Sequence, residues 1–243
     1  MDAKYSTENC RCGDLVVKRV MLSWSSGKDS AWSLYQLQND PEVEVVGLMT
    51  TVNAAANRVA MHAVRTELLE SQARAADLPL FSIPLPWPCS NADYEEIMTK
   101  VVVEIREKYQ ATHVAFGDLF LEDIRAYREK QMQDSGLELM FPLWQNDTKL
   151  LADEMIAAGL KAVLTCIDPK QLDLNFAGKK FDQDLVNSLP EHVDPCGENG
   201  EFHSFVYAGP MFKADIQISI GETVERDGFV YTDVLAETGD SLN

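Results

Sequence analysis

Short apolar runs alternate with longer amphipathic segments through the first 145 residues of the chain. Five of the runs are rich in β-branched residues, as is typical of strands that are covered on both faces. They comprise residues 15–24, 43–52, 79–86, 112–118 and 137–144. Helical spacing of apolar residues occupies the intervals 29–39, 62–77, 91–110 and 123–135. This order predicts an α/β fold with a five-stranded parallel, doubly wound sheet, which binds ligands at the carboxyl ends of its strands.

The pattern changes after residue 145. A helix is predicted over residues 146–160, capped by Asn146 or Asp147, followed by a strand at 161–168 and a helix at 179–191. Residues 194–212 are rich in Gly and Pro, and two strands, 213–220 and 228–237, flank the turn Arg226-Asp227-Gly228. We therefore predict a first domain at 1–145 and a second, smaller α+β domain at 146–243.

Composition and charge exclude several classes of protein. The 243 residues are 46% hydrophobic and 25% charged, as in ordinary globular proteins. Acidic residues outnumber basic ones by 39 to 21, giving a net charge of -18, which argues against a nucleic-acid partner. No apolar run approaches the roughly 20 residues of a membrane helix, and the N-terminus lacks the apolar core of a signal peptide. We expect a cytoplasmic protein with no membrane partner, and the oligomeric state stays open, a homodimer included.

The cysteines indicate a reducing compartment rather than a metal centre. There are five of them, scattered along the chain, which is usual for reduced thiols. Cys10 and Cys12 would supply only half of a metal site, because no second CxxC or HxxxH motif completes it.

The segment 23–30, Ser-Trp-Ser-Ser-Gly-Lys-Asp-Ser, lies where the first strand ends and the first helix begins; we call it the phosphate loop. Backbone N–H groups at such a helix start bind phosphate well. Gly27 allows close approach, Lys28 supplies positive charge, and hydroxyl donors come from Ser23, Ser25, Ser26 and Ser30. Asp29 fits beside phosphates only if a divalent cation bridges them. The alternative is a helix cap without a ligand.

Two familiar phosphate motifs do not fit this loop. A Walker A loop has Gly where this chain has Leu22, and Ser or Thr where it has Asp29. A dinucleotide fingerprint requires three spaced glycines, and only Gly27 is present. The loop instead resembles the PP-loop of the N-type ATP pyrophosphatases, whose fold is of the adenine nucleotide alpha hydrolase type and which cleave ATP between the α and β phosphates.

Two further segments narrow the resemblance to one family. Residues 116–144, beginning Phe-Gly-Asp-Leu-Phe, and residues 194–206, Asp-Pro-Cys-Gly-Glu-Asn-Gly-Glu-Phe-His-Ser-Phe-Val, resemble the second and third motifs of the diphthine-ammonia ligase family, with its ATP-binding type 4 domain. Residues 58–65 resemble the family segment after the second strand. The resemblance covers about residues 18 to 218 and implies ATP and Mg²⁺ as cofactors, with an ATP-binding first domain and an acceptor-binding second one.

The resemblance also implies roles for single residues. ATP would contact the phosphate loop, His62 and Gly117, and Asp29 would help to hold Mg²⁺. Catalysis would involve Lys28, Asp29, Asp118 and His203, and we expect His203 to transfer protons because the unperturbed pKa of histidine lies near neutrality.

The second motif places charged residues on the first turns of a helix. Its predicted acceptor-binding residues are Asp123, Arg125, Tyr127, Arg128 and Glu129. Arg125 and Arg128 share one helix face at i, i+3 and could clamp a carboxylate or phosphate. The alternative is a solvated helix with an i, i+4 pair between Arg125 and Glu129, and spacing alone does not choose between them.

The third motif concentrates polar residues around two glycines, which is unusual for a core loop. By resemblance it lies over the crevice and receives the acceptor through Gly197, Glu198, Asn199, Gly200 and Glu201. A Cys196 nucleophile paired with His203 is a second reading, although no oxyanion motif accompanies it. A zinc deaminase is excluded, because no second cysteine follows Pro195-Cys196.

The reaction implied by the resemblance is adenylation of a carboxylate, with release of pyrophosphate, followed by attack of ammonia to form an amide. No glutaminase-like region is visible, so free ammonia is the expected nitrogen source. The family ligase acts on a modified histidine of a translation factor. This phosphate loop lacks the two glycines of many relatives, and with its short C-terminal unit the chain resembles the short members more than the long eukaryotic ligases, so the acceptor is either a small carboxylate or a protein. The alternative function is a sensor that binds ATP or AMP without turnover.

Overall fold

The computed structural model describes residues 17–53, 58–59 and 64–237. His62, Cys10 and Cys12 lie outside these residues, so the role predicted for His62 stays a prediction. No helix in the described part of the chain has the length and apolar character that crossing a membrane requires.

A parallel sheet forms the first half of the molecule. Its strands are β1 (Lys18–Ser23), β2 (Val43–Asn53), β4 (Leu80–Leu85), β5 (His113–Ala115) and β6 (Glu138–Met140). They are arranged in the order β4-β2-β1-β5-β6, and a short strand β3 (Arg58–Val59) pairs antiparallel with the end of β2. The predicted five-stranded parallel sheet is confirmed.

Helices cover both faces of this sheet, as expected for a doubly wound fold. They are α1 (Lys28–Gln38), α2 (Thr66–Ala76), α3 (Asn91–Tyr109) and α4 (Glu122–Met132). Apolar residues of α1 and α2 belong to one core cluster, and those of α3 and α4 belong to a second. Ser90 begins α3 with a capping box in which its side chain and that of Asp93 satisfy each other's backbone N–H groups.

An antiparallel sheet forms the second half. Its strands are β7 (Lys161–Ile167), β8 (Lys180–Phe181), β9 (Phe202–Ala208), β10 (Ile218–Arg226) and β11 (Phe229–Ala236), accompanied by the helices α5 (Thr148–Ala157) and α6 (Gln183–Ser188). Asp147 caps α5, as predicted, by accepting from the backbone N–H groups of Lys149 and Leu150. Asp227 and Gly228 both have positive φ and connect the hairpin of β10 and β11.

Three predicted elements of this half differ from the structure. Strand β9 lies in the segment that we interpreted as a Gly- and Pro-rich loop. Five of its seven residues are buried, and only His203 and Tyr207 are partly exposed. Because both faces of the strand are largely covered, the sequence lacks the period-two signal of a half-exposed strand. The helix predicted at 179–191 begins with β8, and the strand predicted at 213–220 begins at Ile218 and continues to Arg226.

The two sheets meet at the phosphate loop. The backbone N–H of Val206 in β9 donates to the carbonyl oxygen of Ser26 at 3.0 Å, and the N–H of Lys28 donates to Ser204 Oγ at 3.2 Å. One core cluster contains buried residues of α1, α2, β7 and β9. The second half thus packs directly against the loop that the sequence assigns to phosphate, and the domain boundary at 145 stays a prediction.

Candidate active site

All three sequence motifs line one cavity of about 230 Å³ at the carboxyl ends of β1 and β5. The lining residues come from the phosphate loop, from the segment after β5, from α4, and from residues 197–204. They are Ser23, Ser25, Gly27, Lys28, Asp29, Ser30, Phe116, Gly117, Asp118, Arg128, Gly197, Glu198, Gly200, Phe202, His203 and Ser204. Ligand binding at this edge of a parallel sheet is what the topology leads one to expect.

The phosphate loop is fixed from behind by a buried glutamine of α2. Gln72 donates from Nε2 to the carbonyl oxygens of Ser26 at 3.0 Å and Val206 at 2.7 Å. Its Oε1 accepts from Trp24 Nε1 at 2.8 Å. Ser26 itself does not line the cavity: it is fully buried with φ +73°, and its hydroxyl has no hydrogen-bond partner among the described residues. Sequence reasoning did not identify Gln72, because its partners are distant in the chain.

The cavity wall includes the first turn of α1. Gly27 is the N-cap, and the first N–H that bonds within the helix is that of Ala31, which donates to the Gly27 carbonyl oxygen at 3.1 Å. The amides of the first turn therefore have no acceptor in the helix itself and can serve an anion. Gly117 packs against this turn so closely that a Cβ would lie 3.0 Å from the backbone carbon of Asp29. Only glycine fits here without a shift of the loop.

Lys28 is buried and lies at the centre of the polar contacts. Its Nζ donates to Asp29 Oδ2 at 2.8 Å and Oδ1 at 3.0 Å, and also to the carbonyl oxygen of Cys196. The rings of Phe181 and Phe202 lie 5.8 Å and 5.3 Å from the same atom, within cation–π range. Burial disfavours the charged form, but the interactions of Lys28 with nearby acidic groups, chiefly Asp29, together outweigh it, and the pKa of Lys28 is raised. Lys28 therefore stays protonated at neutral pH.

Arg128 is held on the cavity wall by Asp118. The guanidinium donates from Nε to Oδ2 at 2.5 Å and from Nη2 to Oδ1 at 3.0 Å, and it stacks 4.2 Å from the centre of the Phe116 ring. This bidentate pair fixes the direction of the remaining N–H groups.

The other predicted residues of the second motif do not line the cavity. The Arg125 guanidinium stacks 4.7 Å from the ring centres of both Phe141 and Trp144 and donates to Glu129 at 2.8 Å. The i, i+4 pair that spacing left open is thus formed, and the clamp of two arginines is not. Asp123 is exposed, and the half-exposed Tyr127 accepts from Gln131 at 2.7 Å.

Residues 194–200, which we call the third-motif loop, are organised by Asp194. Its Oδ1 accepts from the backbone N–H groups of Cys196 at 2.8 Å and Glu198 at 3.2 Å, and its Oδ2 accepts from Thr148 Oγ1 at 2.6 Å. Glu201 is buried and accepts from the N–H of Asp194 at 2.9 Å. The sequence suggested Glu201 as an acceptor contact, but it braces this loop.

Asn199 and Gly197 of this loop differ in what they contact. Asn199 is exposed and donates to Glu201 at 3.1 Å, outside the cavity lining. Gly197 has φ +68°, and a Cβ there would lie 2.8 Å from the Phe202 carbonyl oxygen, so a side chain cannot be accommodated.

Glu198, rather than His203, titrates near neutrality. Burial raises the pKa of Glu198 to about 7, although the N–H of Leu119, which donates to Oε1 at 2.8 Å, favours the ionised form. Burial and the nearby charge of Lys28 lower the pKa of His203 to about 4. The role in proton transfer predicted for His203 stays a prediction, and its lowered pKa leaves the ring neutral at pH 7. A neutral imidazole at pH 7 can accept a proton but has none to give from a cationic form.

Cys196 is not activated as a nucleophile. Its thiol is buried and donates to the Thr148 carbonyl oxygen at 3.3 Å, and burial raises its pKa strongly. Because the thiolate is the reactive form, the reading of Cys196 and His203 as a nucleophile and base finds no support.

Comparison with known proteins agrees with the three motifs. The model of the diphthamide synthase N-terminal domain matches residues 18–139, and that of the diphthamide synthase C-terminal domain matches residues 147–234. The chain belongs to the diphthamide synthase family. The prediction of this family, and of an enzyme, is confirmed.

Curated relatives of the diphthamide synthase family share about a quarter of their residues with this chain. The diphthine–ammonia ligase of Danio rerio is 26% identical over 227 residues, covering 85% of this chain and 88% of the relative. That of Bos taurus is 24% identical over 241 residues, with coverages of 89% and 88%. The Schizosaccharomyces pombe ligase is 26% identical over 233 residues, which is 37% of its length. The chain is thus similar in extent to the two vertebrate ligases, whereas the yeast ligase is one of the long ones with which the sequence was contrasted.

Proposed function

We propose that this chain is an ATP-dependent ligase that adenylates a carboxylate, releases pyrophosphate, and forms an amide with ammonia. The observation that carries the proposal is the convergence of three separate motifs, beginning near residues 23, 116 and 194, on one cavity. A simple helix cap would not require the second and third motifs at the same place.

Triphosphate binding is assigned to the phosphate loop. The first turn of α1, whose amides have no acceptor within the helix, lines the cavity together with Ser23, Ser25 and Ser30. These amides and hydroxyls can donate to phosphate oxygens, and a phosphate would compete with Ser204 for the N–H of Lys28. Lys28 supplies positive charge, and a phosphate entering here would compete with Asp29 and the Cys196 carbonyl for it. A group that stabilises the departing pyrophosphate more than the bound ATP would accelerate the first step.

Magnesium fits this site as a partner of ATP rather than as an ion in a protein cage. No group of three His, Cys, Asp or Glu side chains that could hold a metal occurs among the described residues. Mg²⁺ usually takes one or two carboxylates and completes its coordination with substrate phosphates and water. Asp29, on the cavity wall in the first turn of α1, is the carboxylate that we propose for it. The ion would supply charge neutralisation at the phosphates.

Acceptor binding is assigned to the opposite side of the cavity. Arg128, oriented by Asp118, can donate to a carboxylate, and Gly197 and Gly200 leave room for a substrate to approach. The relatives are named for diphthine and ammonia. We therefore propose diphthine on a translation factor as the first acceptor to test, with small carboxylates second, and assign acceptor binding to the predicted domain 146–243 together with Arg128.

Product analysis tests this function. The protein is incubated with ATP, Mg²⁺, ammonium and either the diphthine-bearing translation factor or single small carboxylates. We expect AMP and pyrophosphate in amounts equal to the amide formed. ADP and orthophosphate would contradict cleavage between the α and β phosphates. ATP binding without any product, for every acceptor, would favour the nucleotide sensor instead.

A further inference from the structure

Glu198 presents one fixed and one free carboxylate oxygen to the active-site cavity. Oε1 accepts from the backbone N–H of Leu119 at 2.8 Å, which anchors the side chain. Oε2 accepts no hydrogen bond from the described residues, and the side chain is half-buried on the cavity wall. A carboxylate with one oxygen held and the other open toward a cavity is oriented for a ligand.

Both cations that line the cavity are paired with carboxylates other than Glu198. On α1, Lys28 is paired with Asp29, and across the cavity Arg128 is paired with Asp118. In its own loop, Asp194 is occupied by backbone N–H groups and Thr148, and the thiol of Cys196 is protonated. His203 of β9 is neutral at pH 7. Of the three carboxylates that line the cavity, Asp29, Asp118 and Glu198, only Glu198 forms no ion pair among the described residues, although the charge of nearby Lys28 favours its ionised form. Ionised Glu198 can therefore attract a small cation.

Ammonia chemistry supplies a candidate for that cation. At neutral pH ammonia is present mainly as ammonium, which has no lone pair and cannot attack a carbonyl carbon. We propose that Glu198 binds the ammonium ion through its free oxygen and accepts the proton that this ion must lose. The inference rests on the proposed ligase function and names the residue that prepares its nitrogen donor.

The step is balanced in atoms and charge. Ammonium transfers one proton to the Glu198 carboxylate, giving ammonia and a neutral carboxylic acid. The nitrogen lone pair forms the bond to the acyl carbon, the bond between this carbon and the AMP oxygen breaks, and AMP leaves with that electron pair. The amide nitrogen then loses a second proton to solvent. The raised pKa of Glu198, about 7, brings it closer to that of ammonium than an ordinary carboxylate would be.

Thallium(I), an ion close to ammonium in charge and size, tests the binding site directly. Crystals are soaked in thallium(I) acetate, and anomalous density is compared for the wild type, Glu198→Gln and Glu191→Gln. Glu191 is exposed and does not line the cavity, so its variant is a matched change of charge. We expect a peak beside Glu198 Oε2 in the wild type and in Glu191→Gln, and none in Glu198→Gln.

Absence of that peak from the wild type, or its persistence in Glu198→Gln, would overturn the inference. This measurement requires neither acceptor nor turnover. Its failure is therefore distinguishable from failure of the ligase function, which product analysis decides.

A kinetic comparison tests the proton transfer. Hydroxylamine is uncharged at neutral pH and attacks without prior deprotonation. With the diphthine-bearing translation factor as acceptor, we expect Glu198→Gln to lower the rate with ammonium by about 100-fold, the lower range for general base catalysis, and the rate with hydroxylamine by less than about 3-fold. Exchange of pyrophosphate into ATP, which reports adenylation alone, is measured in parallel, and a loss there as large as the loss with ammonium would contradict a role in preparing the nitrogen donor. Equal losses with both nucleophiles would contradict the role of Glu198 as a base.

Discussion

The side chain of Lys28 donates a hydrogen bond to the carbonyl oxygen of Cys196, 168 residues further along the chain. The same ammonium group pairs with Asp29, Nζ to Oδ2 at 2.8 Å. One cation therefore joins the phosphate loop to the third-motif loop. Any anion that attracts Lys28 must compete with both contacts, so nucleotide binding and the position of the third-motif loop are coupled through this residue.

Replacement of Lys28 tests this coupling. We expect Lys28→Ala to weaken ATP binding at least about 10-fold, because a charge-assisted contact to phosphate contributes about 1.5 to 3 kcal/mol. Isothermal titration calorimetry with ATP and Mg²⁺ measures the loss, and circular dichroism checks that the variant is folded. Lys149→Ala removes an equal charge from an exposed position on α5 and should leave the affinity within about 2-fold. Equal affinities for Lys28→Ala and the wild type would show that ATP does not bind at this loop.

Gln72 holds the phosphate loop in place through buried hydrogen bonds, so its replacement should destabilise the protein. Gln72→Leu would leave the carbonyl oxygens of Ser26 and Val206 and the indole N–H of Trp24 without this partner in a buried site. An unsatisfied buried group costs about 1 to 3 kcal/mol, so we expect the free energy of unfolding to fall by about 2 to 4 kcal/mol. Urea unfolding measures the change. The exposed Gln36→Leu on α1 should change it by less than about 0.5 kcal/mol, and similar values for both variants would contradict the bracing role.

The sequence allowed prediction of those features that are formed by segments consecutive in the chain. The phosphate loop could be predicted because strand, loop and helix are consecutive, and the parallel sheet because each strand is followed by its own crossover helix. The bracing by Gln72 and the organisation of the third-motif loop by Asp194 and Thr148 could not, since each joins residues far apart in the chain.

Two arginines show the same limit. Their i, i+3 spacing predicted that Arg125 and Arg128 share one helix face, yet of the two only Arg128 lines the cavity. Arg125 turns instead to Phe141 and Trp144, whose positions depend on the strand that follows α4. Strand β9 was missed for a related reason, because both of its faces are covered and its flanks are rich in Gly and Pro.

Ser26 occupies a backbone conformation that favours glycine. Its φ of +73° is in the left-handed region, which costs a residue with a side chain about 1 to 2 kcal/mol. Its buried hydroxyl also lacks a partner among the described residues. We expect Ser26→Gly to raise the free energy of unfolding by about 1 kcal/mol, after allowing for the greater freedom of glycine in the unfolded chain. Urea unfolding again provides the measurement.

Ser33 supplies a matched control for that substitution. It is equally buried, its hydroxyl also has no partner among the described residues, and it lies within the helix α1. Ser33→Gly should therefore lower the free energy of unfolding, by about 0.5 kcal/mol or more, because glycine is unfavourable in a helix interior. A gain in both variants would show that loss of the hydroxyl, and not the left-handed backbone, determines the effect of Ser26→Gly.

The raised pKa of Glu198 predicts a pH dependence of stability with a defined sign. Between pH 4.5, its value without perturbation, and about 7, the unfolded chain loses the proton while the folded protein keeps it. Ionised Glu198 thus costs stability that is absent below pH 4.5 and develops in full above about 7. The lowered pKa of His203 acts with the opposite sign, raising stability from pH about 4 upward, so the wild-type profile combines both groups. Glu198→Gln isolates the first effect because the Gln side-chain oxygen can still accept from Leu119.

We expect Glu198→Gln to gain stability relative to the wild type as the pH rises from 5 to 8, by about 1 to 2 kcal/mol after allowing for solvent around the half-buried side chain. Urea unfolding at several pH values measures the difference between the two proteins, in which the contribution of His203 cancels. Glu191→Gln, at an exposed position, should differ from the wild type by a constant amount over this range. A difference for Glu198→Gln that is also constant, or that falls with rising pH, would contradict the raised pKa and weaken the case that this carboxylate can exchange a proton with ammonium near neutrality.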